Sequence, residues 1–212
     1  MAIYIDTHTH NPFKEDILAI KNLNISEVDE LDFSNKFQYY SIGIHPWEVH
    51  ETNPNALEKL EFGAANDAVK AIGECGLDKN SKAGFKEQSY YFERQVLLSE
   101  KHQKPMIIHC VACFNEIISL RKKLKPTQDW IIHGFRGKPQ LAKQLIANGF
   151  SLSFGEKYNS MSVEITPIES LCIETDTSSV DIMTLYKEIA SIKSCLPKEL
   201  NAACRLLKLY VC

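Results

Sequence analysis

Histidines and carboxylates of the kind that bind metal ions occur at widely separated points of this sequence. They are His8, His10, Glu74, His109, His133 and Asp176. In an extended chain, residues two apart point to the same side, so His8 and His10 can reach one cation together. A carboxylate such as Glu74 can bridge two metal ions, and His109 and His133 can complete the ligands of the second ion. Asp176 can bind the first ion while it faces an attacking water, so the set predicts a two-metal hydrolytic centre.

The elements that must position these side chains are predicted from short apolar runs separated by helical patterns. The predicted strands are Ala2–Ile5, Ile17–Ile20, Tyr39–Ile44, Val69–Ile72, Met106–Ile108, Trp130–Ile132, Phe150–Ser153 and Leu171–Ile173. The predicted helices are Asn55–Asn66, Lys86–His102, Asn115–Leu124, Pro139–Asn148, Val180–Ser191 and Pro197–Leu209. Strands that alternate with helices are typical of parallel sheets, and eight of them predict an α/β fold of the TIM-type (β/α)8 barrel.

The predicted barrel is shorter than usual, because a typical one has about 250 residues and this chain has 212. The stretch Lys21–Lys36 is too polar and too short for a full crossover helix, and a helix between residues 155 and 171 is doubtful. We therefore expect a barrel that is trimmed or distorted at its second and seventh βα units. The length fits a single hydrolase domain over residues 1–212.

Each candidate ligand lies at or just past the carboxyl end of a predicted strand. In a parallel barrel these ends meet at one face, which is where barrel enzymes place their active sites. Taken singly, the residues have simpler interpretations. His109 could be a buried, hydrogen-bonded histidine, Glu74 could cap the next segment, and Asp176 could be a helix N-cap. The joint pattern favours a shared metal site over these separate explanations.

The overall composition limits the classes of function. The formal net charge is -3, which argues against a strongly basic coat for nucleic acid, although bound cations can meet phosphates locally. The sequence contains no 18-residue apolar stretch and no signal-peptide pattern at its start, so we expect no membrane partner. Its seven cysteines are scattered and odd in number, which favours a reducing, cytoplasmic location. Cys110 and Cys113 are interpreted as packing residues rather than a metal or redox pair.

Six short motifs in series resemble those of one known family. The motifs are Asp6-Thr-His-Thr-His10, Gly43-Ile-His-Pro46, Ala71-Ile-Gly-Glu-Cys-Gly-Leu-Asp78, Pro105-Met-Ile-Ile-His109, Ile132-His-Gly-Phe135 and Glu174-Thr-Asp176. Together they are similar to the TatD family of metal-dependent deoxyribonucleases, within the amidohydrolase superfamily. The resemblance runs from about residue 3 to residue 178, and this chain is identified as a short member.

The resemblance implies a TIM barrel that hydrolyses phosphodiester bonds in DNA using two divalent metal ions (Mg, Mn or Zn). Our first functional hypothesis is accordingly a DNA nuclease that acts on single strands or ends. It implies that His8, His10, Glu74 and Asp176 hold one ion, and that Glu74, His109 and His133 hold the other. Glu74 and Asp176 are the implied catalytic carboxylates, and Asp176 orients or deprotonates the water. The resemblance also places His45 at the rim of the site, in reach of a substrate phosphate, although a turn histidine before Pro46 is an equal interpretation.

The sequence departs from the family pattern around the expected substrate rim. Lys79-Asn-Ser81 follows Asp78 in place of aromatic residues and an arginine, and Thr177-Ser-Ser179 replaces a proline and a tyrosine. The family's His-Cys-Phe-Ser-Gly pattern is here His133-Gly-Phe-Arg-Gly137. Arg136 is therefore a candidate cation for a substrate phosphate, or else a surface arginine.

Two other functions stay open from the sequence. The same barrel could hydrolyse a small ester, lactone, amide or phosphoester, which a deep, closed pocket with few basic residues would favour. A metal-stabilised binding protein without turnover is the third interpretation. Against it, gathering carboxylates and imidazoles without a metal would carry an electrostatic cost. The oligomeric state is left undetermined.

Overall fold

Eight parallel strands form one sheet whose spatial order is the chain order. The computed structural model describes residues 4–30, 38–52 and 55–209. The strands are β1 (Tyr4–Thr9), β2 (Ile17–Asn24), β3 (Tyr39–Gly43), β4 (Val69–Asp78), β5 (Met106–Val111), β6 (Trp130–Ile132), β7 (Phe150–Phe154) and β8 (Leu171–Ile173). Each strand pairs in parallel with the next, as a (β/α)8 barrel requires.

Helices connect most of the strands along the outside of the sheet. They are α1 (Ala56–Ala64), α2 (Phe85–His102), α3 (Phe114–Leu124), α4 (Pro139–Ala147), α5 (Ser160–Ile165), α6 (Ile182–Lys193) and α7 (Ala202–Leu206). Short 3-10 helices occupy Ile25–Glu30, Val49–Glu51, Ile168–Ser170 and Pro197–Glu199. Among the described residues, none of the helices has the length and hydrophobicity of a membrane-spanning segment.

The first and last strands meet at the carboxyl end of the barrel. Thr9 and Asp176 form an isolated parallel bridge. The Asp176 amide donates to the carbonyl of His8 at 3.0 Å, and its carbonyl accepts from the amide of His10 at 3.0 Å. The barrel is therefore closed through the backbone of three residues that were predicted to be metal ligands.

Two apolar layers lie on opposite sides of the sheet. The layer between the strands and the outer helices contains the larger set of buried side chains. The second layer fills the barrel interior with one residue from each of six strands, namely Ile5, Ile20, Ala71, Ile107, Ile131 and Cys172. α7 packs Leu206 and the neighbouring Leu207 against this interior set. The C-terminal helix therefore plugs the amino end of the barrel and leaves the carboxyl end open for a site.

The predicted strands are confirmed in number and order, with differences at their ends. β4 extends to Asp78, six residues beyond its predicted end, and β2 extends to Asn24. The start of the first predicted strand, at Ala2, lies outside the described residues. The helix predicted over Pro197–Leu209 is wrong as a single element. A 3-10 helix and the five-residue α7 stand there, with Leu200 and Asn201 between them in non-helical conformations.

The barrel is shortened where the sequence predicted it and also where it did not. β2 is followed by the 3-10 helix Ile25–Glu30, although residues 31–37 of the predicted second unit lie outside the described part. In the seventh unit α5 has only six residues. The first unit has no helix either, because residues 10–16 run directly from β1 to β2. Seven extended residues span about 23 Å, which is just enough to return along a six-residue strand.

Five cysteines in the described part of the chain are free thiols, and one of them, Cys172, lies inside the barrel. Burial raises the pKa of the Cys172 thiol to about 12, so it packs as a small apolar side chain. Cys110 and Cys113 are also free, with pKa values raised by burial. Cys204 is disulfide-bonded and departs from this pattern.

The α7 plug gives a direct test of the barrel interior. Leu206 is fully buried, whereas Leu196, in the turn before α7, is 56% exposed. We expect Leu206→Ala to lower the free energy of unfolding by about 2–5 kcal/mol, because it leaves a cavity at the base of the barrel. Leu196→Ala is the matched control and should change it by less than about 0.5 kcal/mol. Urea denaturation of both variants measures the difference. Equal losses of unfolding free energy would contradict the packing of α7 against the barrel interior.

Candidate metal centre

Strand alternation turns two of the predicted ligands into the barrel mouth. On β5, His109 lies two positions after the interior residue Ile107. Directly after β6, His133 lies two positions after the interior residue Ile131. Residues two apart on a strand share a face, so both imidazoles project into the open end of the barrel. The predicted bounds of β5 and β6 place His109 and His133 directly after their strands. In the structure His133 does follow β6, whereas β5 extends past His109 to Val111.

Two other ligands depend on strand irregularities, because regular alternation would turn them outward. On β1, His8 is three residues after the interior residue Ile5, and the pairing with β2 shifts between Asp6 and Thr9. On β4, Glu74 is three residues after Ala71, and the pairing with β5 shifts between Ile72 and Cys75. Such irregularities re-aim side chains and are frequent beside active sites.

Gly73 makes the irregularity in β4 possible. Its φ is +155°, a conformation that side chains rarely adopt, and a Cβ at this position would lie 2.4 Å from the carbonyl oxygen of Ile107. β4 and β5 thus approach too closely for any residue other than glycine. The glycine before Glu74 in the sequence motif therefore has a structural reason.

The Glu74 carboxylate lies among the imidazoles of the other predicted ligands. Only 6% of the residue is exposed. Its Oε1 lies 2.8 Å from His109 Nδ1, 2.8 Å from His133 Nε2 and 3.2 Å from His45 Nε2. Its Oε2 lies 3.4 Å from both His8 Nε2 and His10 Nε2. The two oxygens thus face two different groups of imidazoles, which is the arrangement expected of a bridging carboxylate.

The surrounding imidazoles determine the charge of Glu74. Burial alone disfavours its ionised form, but the positive potential of His133 and hydrogen bonds from His10 and His109 hold the pKa of the carboxyl well below its ordinary value. The pKa of His133 is in turn raised well above its ordinary value. Burial would lower this pKa, but the negative charges of Glu74 and Glu174 have the larger, opposite effect. The Glu74 carboxyl is therefore ionised, which is the form that binds metal ions.

His8, His10 and Asp176 form the first group of donor atoms. One donor atom from each lies within 4.8 Å of the others. Asp176 Oδ1 is 3.9 Å from His8 Nε2 and 3.8 Å from His10 Nε2. His8 is completely buried, yet neither of its ring nitrogens has a hydrogen-bond partner. Buried polar atoms without partners are rare, and a cation among these three side chains would satisfy His8 Nε2.

His109 and His133 form the second group around Glu74. The two rings approach at 3.3 Å between His109 Nδ1 and His133 Nε2. Both of these nitrogens lie 2.8 Å from Glu74 Oε1. Two nitrogens and one carboxylate oxygen converge here at the separations that a shared cation would require.

Two buried carboxylates that the sequence interpretation missed bind the opposite sides of these rings. Asp78 Oδ2 lies 3.0 Å from His109 Nε2 and also accepts a hydrogen bond from Trp47 Nε1 at 2.7 Å. Glu174 Oε1 lies 3.4 Å from His133 Nδ1. A carboxylate on the outer nitrogen of a ligating histidine fixes the ring and its tautomer. Asp78 and Glu174 both belong to the sequence motifs that contain the ligands. They could have been found by asking which carboxylate holds the outer nitrogen of each ligating histidine.

Asp176 has a backbone conformation that separates it from an ordinary helix cap. Its φ is +52°, in the left-handed region, and its backbone bridges to β1 on both sides. The N-cap of α6 is instead Asp181, whose side chain accepts from the Met183 amide. The N-cap interpretation of Asp176 is therefore wrong, and its side chain, 27% exposed, is left to face the barrel mouth.

His45 and Arg136, predicted to bind substrate, occupy different positions. His45 is not only at the rim. Its Nε2 lies 3.2 Å from Glu74 Oε1, and it forms a third donor group with Glu74 and His109. Arg136 is exposed and lines a neighbouring cavity that borders Asp176. The structure thus brings His45 into the cluster and leaves Arg136 at its edge.

An open cleft of about 510 Å³ lies over the cluster. Its walls include His10, His45, Glu74, His109, His133 and Asp176, together with Asn22, Asn24, Glu27, Trp47 and Glu48. Asp176 and Thr177 separate it from the second cavity, of about 250 Å³, which Arg136 and Lys157 line. Lys79, which follows Asp78 at the expected substrate rim, pairs with Glu116 at 3.4 Å.

Comparisons with known proteins give the relatives of this chain. The family of TatD related DNases matches residues 16–188. An uncharacterised metal-dependent hydrolase of Haemophilus influenzae is 24% identical over 216 residues, which cover 84% of this chain and 82% of the relative. A 3'-5' ssDNA/RNA exonuclease TatD of Erwinia amylovora is 28% identical over 145 residues, covering 63% of this chain and 56% of the relative.

Among solved structures, YjjV, a TatD homologue from Escherichia coli, superimposes with a TM-score of 0.81. The match covers 97% of this chain and 95% of that chain at 20% sequence identity, so it supports the fold. Because the family match extends over most of the sequence and contains four of the six clustered side chains, the chain belongs to the TatD-related family of metal-dependent hydrolases.

Proposed function

We propose that this protein hydrolyses phosphodiester bonds in DNA with two divalent metal ions bound at the barrel mouth. The observation that carries the proposal is the Glu74 carboxylate, which is buried and faces two separate groups of imidazoles with its two oxygens. A buried carboxylate surrounded in this way fits two neighbouring cations better than one. Nitrogen and oxygen donors together suit Zn, Mn and, less well, Mg.

The donor groups define which side chains would hold each ion. His8, His10 and Asp176, with Glu74 Oε2, would hold the first, and the orphaned His8 Nε2 supports this assignment. Glu74 Oε1, His109 and His133 would hold the second. When bound, such ions act as Lewis acids and lower the pKa of water towards neutrality.

The protein's own residues would position and deprotonate the water. Asp176 is the ligand carboxylate with the greater exposure, and it borders both cavities. A carboxylate in that position can accept a proton from water in the cleft. Asp78 and Glu174 would keep His109 and His133 oriented while charge develops at the phosphate.

DNA is supported as the substrate by the cations beside the site and by named relatives. Arg136 and Lys157 line the cavity that adjoins the cleft at Asp176 and Thr177, beside the acidic residues Glu156 and Glu174, so a strand crossing the site would bring phosphates to these two basic side chains. The Erwinia relative is named an exonuclease of single-stranded DNA and RNA. Hydrolysis of a small molecule is the second candidate, favoured by the acidic residues Glu27 and Glu48 in the cleft wall.

Substitution of the two carboxylates tests the catalytic assignment. We expect Glu74→Gln and Asp176→Asn each to lower kcat on single-stranded DNA by at least about a hundredfold, because one removes the shared ligand and the other the proton acceptor. Glu58→Gln on the exposed face of α1 is the control and should retain full activity. Assays with added Mg, Mn or Zn, together with circular dichroism, separate loss of activity from loss of fold. Full activity in either carboxylate variant would refute its role.

Substitution of the basic side chains Arg136 and Lys157 tests whether the DNA strand leaves the site through the neighbouring cavity. We expect Arg136→Ala combined with Lys157→Ala to raise KM for single-stranded DNA and to make log KM less dependent on log salt, by about 0.7 for each phosphate that the variant no longer binds. Lys143→Ala, an exposed charge removal on α4, is the matched control. An unchanged salt dependence in the double variant would show that phosphates do not reach this cavity. Activity that is confined to small esters would favour the second candidate instead.

A further inference from the structure

An exposed tryptophan stands at the mouth of the cleft and has no role in the proposed metal chemistry. Trp47 is 57% exposed, although its residue type is usually buried. It lines the cleft beside the imidazoles, with ring centroids 5.2 Å from His45 and 6.1 Å from His109. A large aromatic face kept in water next to a reaction centre points to a ligand that covers it.

The ring of Trp47 is held in place before any ligand arrives. Its Nε1 donates to Asp78 Oδ2 at 2.7 Å, and its backbone amide lies 3.1 Å from His45 Nδ1. Asp78 is almost completely buried, so this anchor is not on a mobile surface group. A fixed aromatic platform loses little conformational freedom on binding, which favours stacking.

The acidic residues around Trp47 disfavour phosphate at that end of the cleft. Glu48 follows Trp47 and accepts a hydrogen bond from Asn24 Nδ2, while Glu27 Oε2 accepts from the Asn24 amide. None of the described residues that line this cleft is a lysine or arginine. The cations Arg136 and Lys157 lie beyond Asp176, in the neighbouring cavity. A polyanion would therefore direct its backbone towards Arg136 and an uncharged portion towards Trp47.

We propose that Trp47 stacks on a nucleobase adjacent to the phosphate that is cleaved, in a subsite completed by Asn24 and Glu48. The inference rests on the proposed function. A cleft of about 510 Å³ is in the size range of small-ligand sites, so one nucleoside fits it. Within a duplex both faces of a base are covered, so only an unpaired or flipped base can reach the indole. The subsite selects nucleotides that carry a base over abasic sugar-phosphate.

Tryptophan fluorescence provides a readout that does not depend on activity. The chain has two tryptophans, and Trp130 is fully buried against Phe92 and Phe150. The Mg-loaded protein is titrated with short oligothymidylate in hydrolysis-resistant phosphorothioate linkage, and with an abasic oligomer of equal length and linkage. We expect oligothymidylate to quench the Trp47 emission and the abasic oligomer to leave it unchanged.

Two substitutions separate stacking from the hydrogen bond to Asp78. Trp47→Ala should weaken oligothymidylate binding about 5- to 150-fold, the range for removal of one base–aromatic stack, and should leave binding of the abasic oligomer unchanged. Trp47→Phe keeps an aromatic face but loses the donor to Asp78, so it should bind oligothymidylate more tightly than the alanine variant. Fluorescence polarisation of labelled oligomers measures both. Emission from Trp130 reports whether each variant is folded.

The outcomes distinguish this inference from the proposed function. Unchanged Trp47 emission on saturation with oligothymidylate would overturn the inference, as would an equal weakening of oligothymidylate and abasic binding in Trp47→Ala. If the wild type still cleaves ordinary DNA in either case, the proposed function survives alone. If it neither binds nor cleaves any oligonucleotide with Mg, Mn or Zn, the proposed function fails and the inference fails with it.

Discussion

The structure of this site depends on one buried carboxylate placed among imidazoles. Glu74 is almost inaccessible to water, and its charge is retained only because His109 and His133 lie 2.8 Å from one oxygen and His8 and His10 lie 3.4 Å from the other. A charge without such partners would be too costly to bury. Because a cation can replace the protons shared in this cluster, the same arrangement that stabilises the ionised carboxylate also prepares it for metal binding.

The fold brings these residues together through the carboxyl ends of the strands, and the sequence allowed much of this to be predicted. For β5 and β6, alternation from the interior residues Ile107 and Ile131 leads directly to His109 and His133. For β4 the same rule gives the wrong face for Glu74. An irregularity at Gly73, in a conformation that suits only glycine, turns the Glu74 side chain towards the barrel mouth. Such irregularities depend on the approach of a neighbouring strand, which a linear pattern does not contain.

What the sequence could not supply was the surroundings of the ligands. β2 was predicted to end at Ile20, so Asn22 and Asn24, which continue the same inward face, were not recognised as part of the cleft. No helix was predicted between β1 and β2 and none is present, but the first unit was not counted among the shortened ones. Asn22 and Asn24 line the cleft and contribute to its shape rather than to its metal ligands.

Diffraction from crystals loaded with manganese would test the central role of Glu74 most directly, since anomalous scattering locates each ion independently of activity. We expect two peaks that share the Glu74 carboxylate, one among His8, His10 and Asp176 and the other beside His109 and His133. Peaks that lie away from Glu74, or manganese confined to surface carboxylates, would contradict it.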